Sequence, residues 1–131
     1  MRGFMAKQIL VVDDSQTVRA YYRKVLEAAG FELEEAENGC VAVEVSLQHS
    51  FDLFLVDINM TGGTGIDFLK EIRERPELQA IPAIVVSSES STDDIVQSLA
   101  SGANLHLVKP VSPKLLLEVC RILTGEVGSN G

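Results

Sequence analysis

The sequence predicts an α/β domain built on a parallel sheet with helices packed on both faces. Three observations carry this. Short, continuous apolar runs recur along the chain, segments of helical apolar spacing fill the gaps between them, and 131 residues leave room for one core. A continuous apolar run marks a strand buried on both faces, as parallel sheets require. Strict alternation of strand and helix then implies right-handed crossovers.

The elements follow in order. Ile9–Val12 is the first buried run. Val18, Tyr22, Val25, Leu26 and Ala29 share one helical face, which Gly30 ends. Phe31–Glu34 alternates apolar and polar, as an edge strand with one wet face would. The next gap reads two ways. Val41, Val43, Val45 and Leu47 alternate, and with the Asn38-Gly39 pair they suggest a hairpin. The segment is long for a strand, however, and Val41, Ala42 and Val45 fit a helical face, so a helix is predicted. Leu53–Val56 is a third strand, followed by a helix marked by Ile66, Leu69, Ile72 and Arg73, with Pro76 just beyond it. Ala83–Val86 is a fourth, followed by a helix on Ile95, Val96, Leu99 and Ala100 that Gly102 closes. Leu105–Val108 is a fifth, partly alternating. Leu115, Leu116, Val119, Cys120, Ile122 and Leu123 mark the last helix, with Pro113 in its first turn. Residues 7–124 thus form the domain, 1–6 a short extension and 125–131 a Gly-rich, flexible tail.

Composition excludes several functions. The net charge of −8 argues against binding nucleic acid or an anionic membrane, because phosphate neutralisation needs a basic surface. No apolar run reaches the length of a membrane span. The first residues lack the apolar core of a signal peptide, so a cytoplasmic protein is expected. Cys40 and Cys120 lie far apart in no metal-ligand spacing and read as free thiols in a reducing compartment.

In open α/β sheets, ligands bind beyond the carboxyl ends of the strands. Asp13-Asp14 follow the first run, Asp57 the third, Ser87-Ser88 the fourth and Lys109-Pro110 the fifth. Three carboxylates, a hydroxyl and an ammonium therefore converge on one edge. Each carboxylate pair at ~4 Å repels by roughly 4 kcal/mol at an effective dielectric of about 20. A hard divalent cation relieves this, and Mg²⁺ favours a few carboxylates together with phosphate oxygens. A carboxylate can also attack phosphorus to give an acyl phosphate. Lys109 can neutralise one phosphoryl oxygen and Ser87 can donate to another.

Val11–Ser15, Leu55–Met60, Val85–Glu89 and Leu107–Pro110 together resemble the receiver domain of two-component response regulators, with the closest likeness to the single-domain chemotaxis (CheY-like) type. The likeness spans about residues 7–123. It implies a flavodoxin-like (βα)5 fold with strand order 2-1-3-4-5. It implies that Asp57 is the phosphoacceptor, with Ser87 and Lys109 as its catalytic partners. Mg²⁺ (or Mn²⁺) would be held by Asp14, Asp57 and the backbone carbonyl of Asn59, and by Asp13 through water. The Lys109–Pro110 bond should be cis. Asn59 and Glu89 occupy positions that tune hydrolysis of the acyl phosphate, and His106 stands at the aromatic switch position. The implied donor is a histidine kinase or phosphotransfer protein, and the implied output is a protein target on the last-strand face. The domain is expected to be a monomer or a weak, phosphorylation-dependent dimer. It is expected to phosphorylate and dephosphorylate itself without being a multiple-turnover enzyme.

Three positions depart from the family pattern: Thr61 replaces a usual Pro, His106 a usual Tyr or Phe, and Val111 a usual Phe. With Thr61, the stretch 62–65 reads as a flexible loop beside Asp57. Rival readings are weaker. A haloacid-dehalogenase-type phosphatase would carry its nucleophile after the first strand in an Asp-x-Asp pattern, and here the two Asp are adjacent. A flavodoxin would place the flavin phosphate where Asp13 and Asp14 repel it. A pseudo-receiver that only binds partners should lack an intact acidic site.

Overall fold

The structure, a computed structural model, describes residues 6–60, 64–88 and 91–126. Five strands, β1 (Gln8–Val12), β2 (Glu32–Ala36), β3 (Leu53–Asp57), β4 (Ala83–Ser87) and β5 (Leu105–Val108), alternate with five helices. The helices are α1 (Gln16–Ala28), α2 (Gly39–Gln48), α3 (Thr64–Glu74), α4 (Thr92–Ala100) and α5 (Pro113–Thr124). The sheet is parallel throughout, in the order β2-β1-β3-β4-β5. Both the fold class and the strand order are those expected.

Side chains of a strand alternate between faces, and the buried runs divide accordingly. Leu10, Val12, Phe54 and Val56 pack with Phe68, Leu69 and Ile72 of α3 and Ala42 of α2. Ile9, Val11, Leu53 and Leu55 pack on the other face with Tyr22 and Leu26 of α1 and Leu116 and Cys120 of α5. β2 is an edge strand with alternating burial, as its sequence suggested.

The ambiguous second gap is a helix. Asn38 does not start a hairpin; its side-chain oxygen accepts the Val41 N–H at 2.9 Å and caps α2. α4 departs from expectation. The residues that mark it as a helix do not line the core: Val96 is 57% exposed and Leu99 46%, while Ser98 is fully buried. Helical spacing locates an apolar face but does not say whether the sheet covers it. Arg73, placed by spacing on the apolar face of α3, is a tether instead. Its Nε and Nη2 donate to Gly102 O at 2.9 and 2.7 Å, and its Nη1 donates to Ile81 O at 2.7 Å. Gly102, at φ +123°, leaves room for that guanidinium; a Cβ there would lie 2.6 Å from Arg73 Cγ.

Candidate functional site

Asp57 and Ser87 are the last residues of their strands rather than the first residues beyond them. Sheet pairing therefore fixes their backbones: Asp57 is in register with Val86, and Ser87 with Val108. Ser87 is fully buried, and its carbonyl accepts the Lys109 N–H at 2.8 Å. Lys109 Nζ reaches back to Asp57 Oδ2 at 3.2 Å, and Asp57 Oδ1 accepts the Asn59 N–H at 2.8 Å. Asp57 is thereby held on both oxygens while only 5% exposed. The Lys109–Pro110 peptide bond is cis.

Asp13 is 1% exposed. Its N–H donates to Ala36 O at 3.0 Å, and its Oδ1 accepts the Ser15 N–H at 2.8 Å. Ser15 also caps α1, its Oγ accepting the Val18 N–H at 3.2 Å. Asp13 Oδ2 is buried with no hydrogen-bond partner. Asp14 is exposed. One oxygen from each of Asp13, Asp14 and Asp57 lies within 4.8 Å of the others. An orphaned carboxylate oxygen among clustered hard oxygen donors fits a small divalent cation such as Mg²⁺. Asn59 lies at the mouth of this cluster, its side-chain oxygen accepting the Ser88 N–H at 2.6 Å and standing 3.2 Å from Ser88 Oγ. The β3–α3 and β4–α4 segments are thus joined beside Asp57.

Burial, reinforced by the negative charge of Asp57, pushes the Asp13 carboxyl up to about 6, against the Ser15 hydrogen bond and the Lys109 charge. A carboxyl raised on folding holds its proton longer in the native state. Metal-free protein should therefore lose stability as pH rises from about 4 to about 6, by up to roughly 3 kcal/mol. Melting in a chelator across this range checks the sign: Asp13→Asn should flatten the fall, and saturating Mg²⁺ should reverse it above pH 6.

Gly65 corrects the loop reading. It is buried in the first turn of α3, not part of a flexible loop. A Cβ there would lie 2.6 Å from Asp57 O and 3.0 Å from Ile58 Cα. Both are backbone atoms of the site, so Gly65→Ala should move them. Overpacking of this kind costs about 1–3 kcal/mol. Thermal melting of Gly65→Ala would show the loss.

His106 on β5 is half-buried, its Nδ1 2.8 Å from Ser98 Oγ on α4. The Ser98 hydroxyl also donates to Ile95 O at 3.0 Å. A hydroxyl has one proton, so the His106 Nδ1 is assigned as the donor to Ser98. Ser98 joins the modulatory candidate His106 to α4, and nothing in its sequence neighbourhood marked it beyond its place in an apolar helix. Val111 is buried, and its carbonyl accepts the Tyr21 hydroxyl at 3.2 Å. Glu89, Thr61 and the Gly62–Gly63 part of the predicted loop lie outside the described residues, as do most of the predicted extension (residues 1–5) and tail (127–131). Arg19, which touches the Asp13 backbone, had no signal in the sequence beyond its spacing from Asp13.

A family model described as the response regulator receiver domain matches residues 9–121. The chain is 35% identical over 112 residues to the chemotaxis protein CheY of Pseudomonas aeruginosa, covering 85% of this chain and 90% of that one. It is 36% identical over 113 residues to the phosphate regulon transcriptional regulatory protein PhoB of Escherichia coli, covering 86% of this chain but 49% of PhoB. Among solved structures, the chemotaxis protein CheY4 of Vibrio cholerae aligns with a TM-score of 0.86 at 31% identity, over 91% of this chain and 99% of that one.

Proposed function

The chain belongs to the response regulator receiver domain family of two-component signalling, and on that premise we propose that Asp57 is its phosphoacceptor, assisted by Lys109 and Ser87 and by Mg²⁺ held at the acidic cluster. The observation that carries this is the double hold on Asp57, one oxygen on the Asn59 N–H and the other on Lys109 Nζ, beside the unpartnered Asp13 Oδ2.

A bound Mg²⁺ would supply charge that offsets the negative charge of the carboxylates and of the incoming phosphoryl group. The residues do the rest. An Asp57 oxygen forms a bond to phosphorus as the phosphorus–nitrogen bond of a phosphohistidine breaks, and the departing imidazole keeps the electron pair. Lys109 Nζ, already at Asp57 Oδ2, can follow the charge onto a phosphoryl oxygen. The Ser87 hydroxyl can donate to another. Asp14, Asp57 and the Asn59 carbonyl would bind the metal, with Asp13 acting through water.

The donor would be a histidine kinase or phosphotransfer protein. The acceptor can also take phosphoryl from small donors and lose it by hydrolysis, without multiple turnover of a substrate. No helix among the described residues is long and apolar enough to cross a membrane, and we place the chain in the cytoplasm. Val96 and Leu99 of α4, Val108 of β5, and Leu115 and Ile122 of α5 are exposed, Ile122 at 74%. Exposed apolar side chains of this size on neighbouring elements favour a protein partner there. His106, hydrogen-bonded to Ser98 on the buried face of α4, could relay the state of the site to that helix.

Incubation with Mg²⁺ and a small phosphodonor, followed by intact mass measurement, tests the assignment. One added phosphoryl group per chain, lost when a chelator replaces Mg²⁺, is expected. An unchanged mass at saturating donor and Mg²⁺ would refute it.

A further inference from the structure

We infer that Arg19 is a positioning residue for the metal site, fixing the backbone of Asp13 so that the carboxylates at the end of β1 face Asp57. The inference rests on the metal reading proposed above. Arg19 lies in the first turns of α1, and its side chain is 14% exposed. Its Nη1 donates to Asp13 O at 2.7 Å, and its Nε donates to Glu35 Oε1 at 2.8 Å. Glu35 is held in turn, its Oε2 accepting from Arg23 Nε at 2.7 Å. One planar guanidinium thus bridges a carbonyl at the metal site to a carboxylate on the neighbouring strand, which suits the fixed fork of Arg.

The neighbouring strand therefore holds Asp13 twice. Ala36 O takes the Asp13 N–H directly, at 3.0 Å. Glu35, the residue before it, holds the Asp13 carbonyl through Arg19. With Ser15 on Oδ1, the backbone and one carboxylate oxygen are fixed, and Oδ2 is presented without a partner. Asp14 follows directly in the chain, so the same hold sets where its carboxylate starts. Partners beyond the ligands are known to set ligand orientation and metal affinity.

Charge alone predicts the opposite of this inference. Arg19 is a cation near a cation site, so removing it should strengthen Mg²⁺ binding by simple repulsion. Glu35 and Arg23 moderate that repulsion, but they do not reverse its sign. If Arg19 acts by position, its loss weakens binding in spite of the relieved repulsion. The sign of the change separates the two roles.

The test is calorimetric titration of the full chain with Mg²⁺, with folding followed by circular dichroism. Arg19→Ala is expected to weaken Mg²⁺ binding by about tenfold. Its phosphorylation by a small donor should slow at limiting Mg²⁺ and largely recover at saturation. Arg19→Lys, which keeps the charge but cannot bridge both acceptors, should also bind Mg²⁺ more weakly than wild type, and it serves if Arg19→Ala does not fold. Wild-type affinity or tighter in a folded Arg19 variant overturns the inference, even if its melting temperature falls. Absence of Mg²⁺ binding in the wild type overturns the metal reading itself, and the inference with it.

Discussion

Asp57→Asn is expected to take up no phosphoryl group from any donor, while keeping its fold. An amide oxygen is a poor nucleophile and cannot give an acyl phosphate. The side chain is nearly isosteric, so the buried end of β3 should tolerate it. The metal-free variant should also be more stable than wild type. Asp57 repels two carboxylates and attracts one ammonium. At ~5 Å and an effective dielectric of about 20, each such pair is worth roughly 3 kcal/mol before screening. Removing the charge therefore relieves about one pair more repulsion than the attraction it loses. Intact mass and melting in a chelator measure the two effects together. An equal mass gain in Asp57→Asn would assign the acceptor to another residue.

Lys109→Ala should slow phosphorylation by about 10²–10³-fold, the usual cost of losing one preorganised charge stabiliser. Lys109 Nζ is on Asp57 Oδ2 before any phosphoryl group arrives, so transfer demands little rearrangement of it. Its loss should also push the Asp13 carboxyl further up, since the Lys109 charge now opposes that rise. The stability fall of metal-free protein should then begin at the same pH but extend to higher pH and become larger. Rate measurements with a small donor at saturating Mg²⁺ test the first effect, and pH-dependent melting tests the second. A rate within about twofold of wild type would remove Lys109 from the catalytic set.

Much of the site was legible because its chemistry sits where the hydrophobic pattern stops. Asp13, Asp14, Asp57, Ser87 and Lys109 each end or follow a buried run, and a parallel sheet brings such ends to one edge. The α2 segment was harder, because alternating Val residues mimic a strand; capping by Asn38 and packing on the sheet decide for helix. The apolar stripe of α4 was visible, but not its direction. Which face the sheet covers depends on where neighbouring strands lie, and Val96 and Leu99 turn outward while Ser98 fills the interior.

The sequence by itself determined the alternation of elements, the edge on which the charged groups gather, and the identity of Asp57 as the candidate acceptor. Periodicity and chain order suffice for the first two, and the likeness to receiver domains supplies the third. Only the tertiary structure decided how the groups are held. It put Asp57 inside β3, with Asn59 and Lys109 on its two oxygens. It packed Gly65 against the Asp57 carbonyl, and it joined Arg19 and Glu35 to the Asp13 backbone. These contacts link residues on different elements at short range. Their geometry depends on packing distances and register, which no local pattern in the chain encodes.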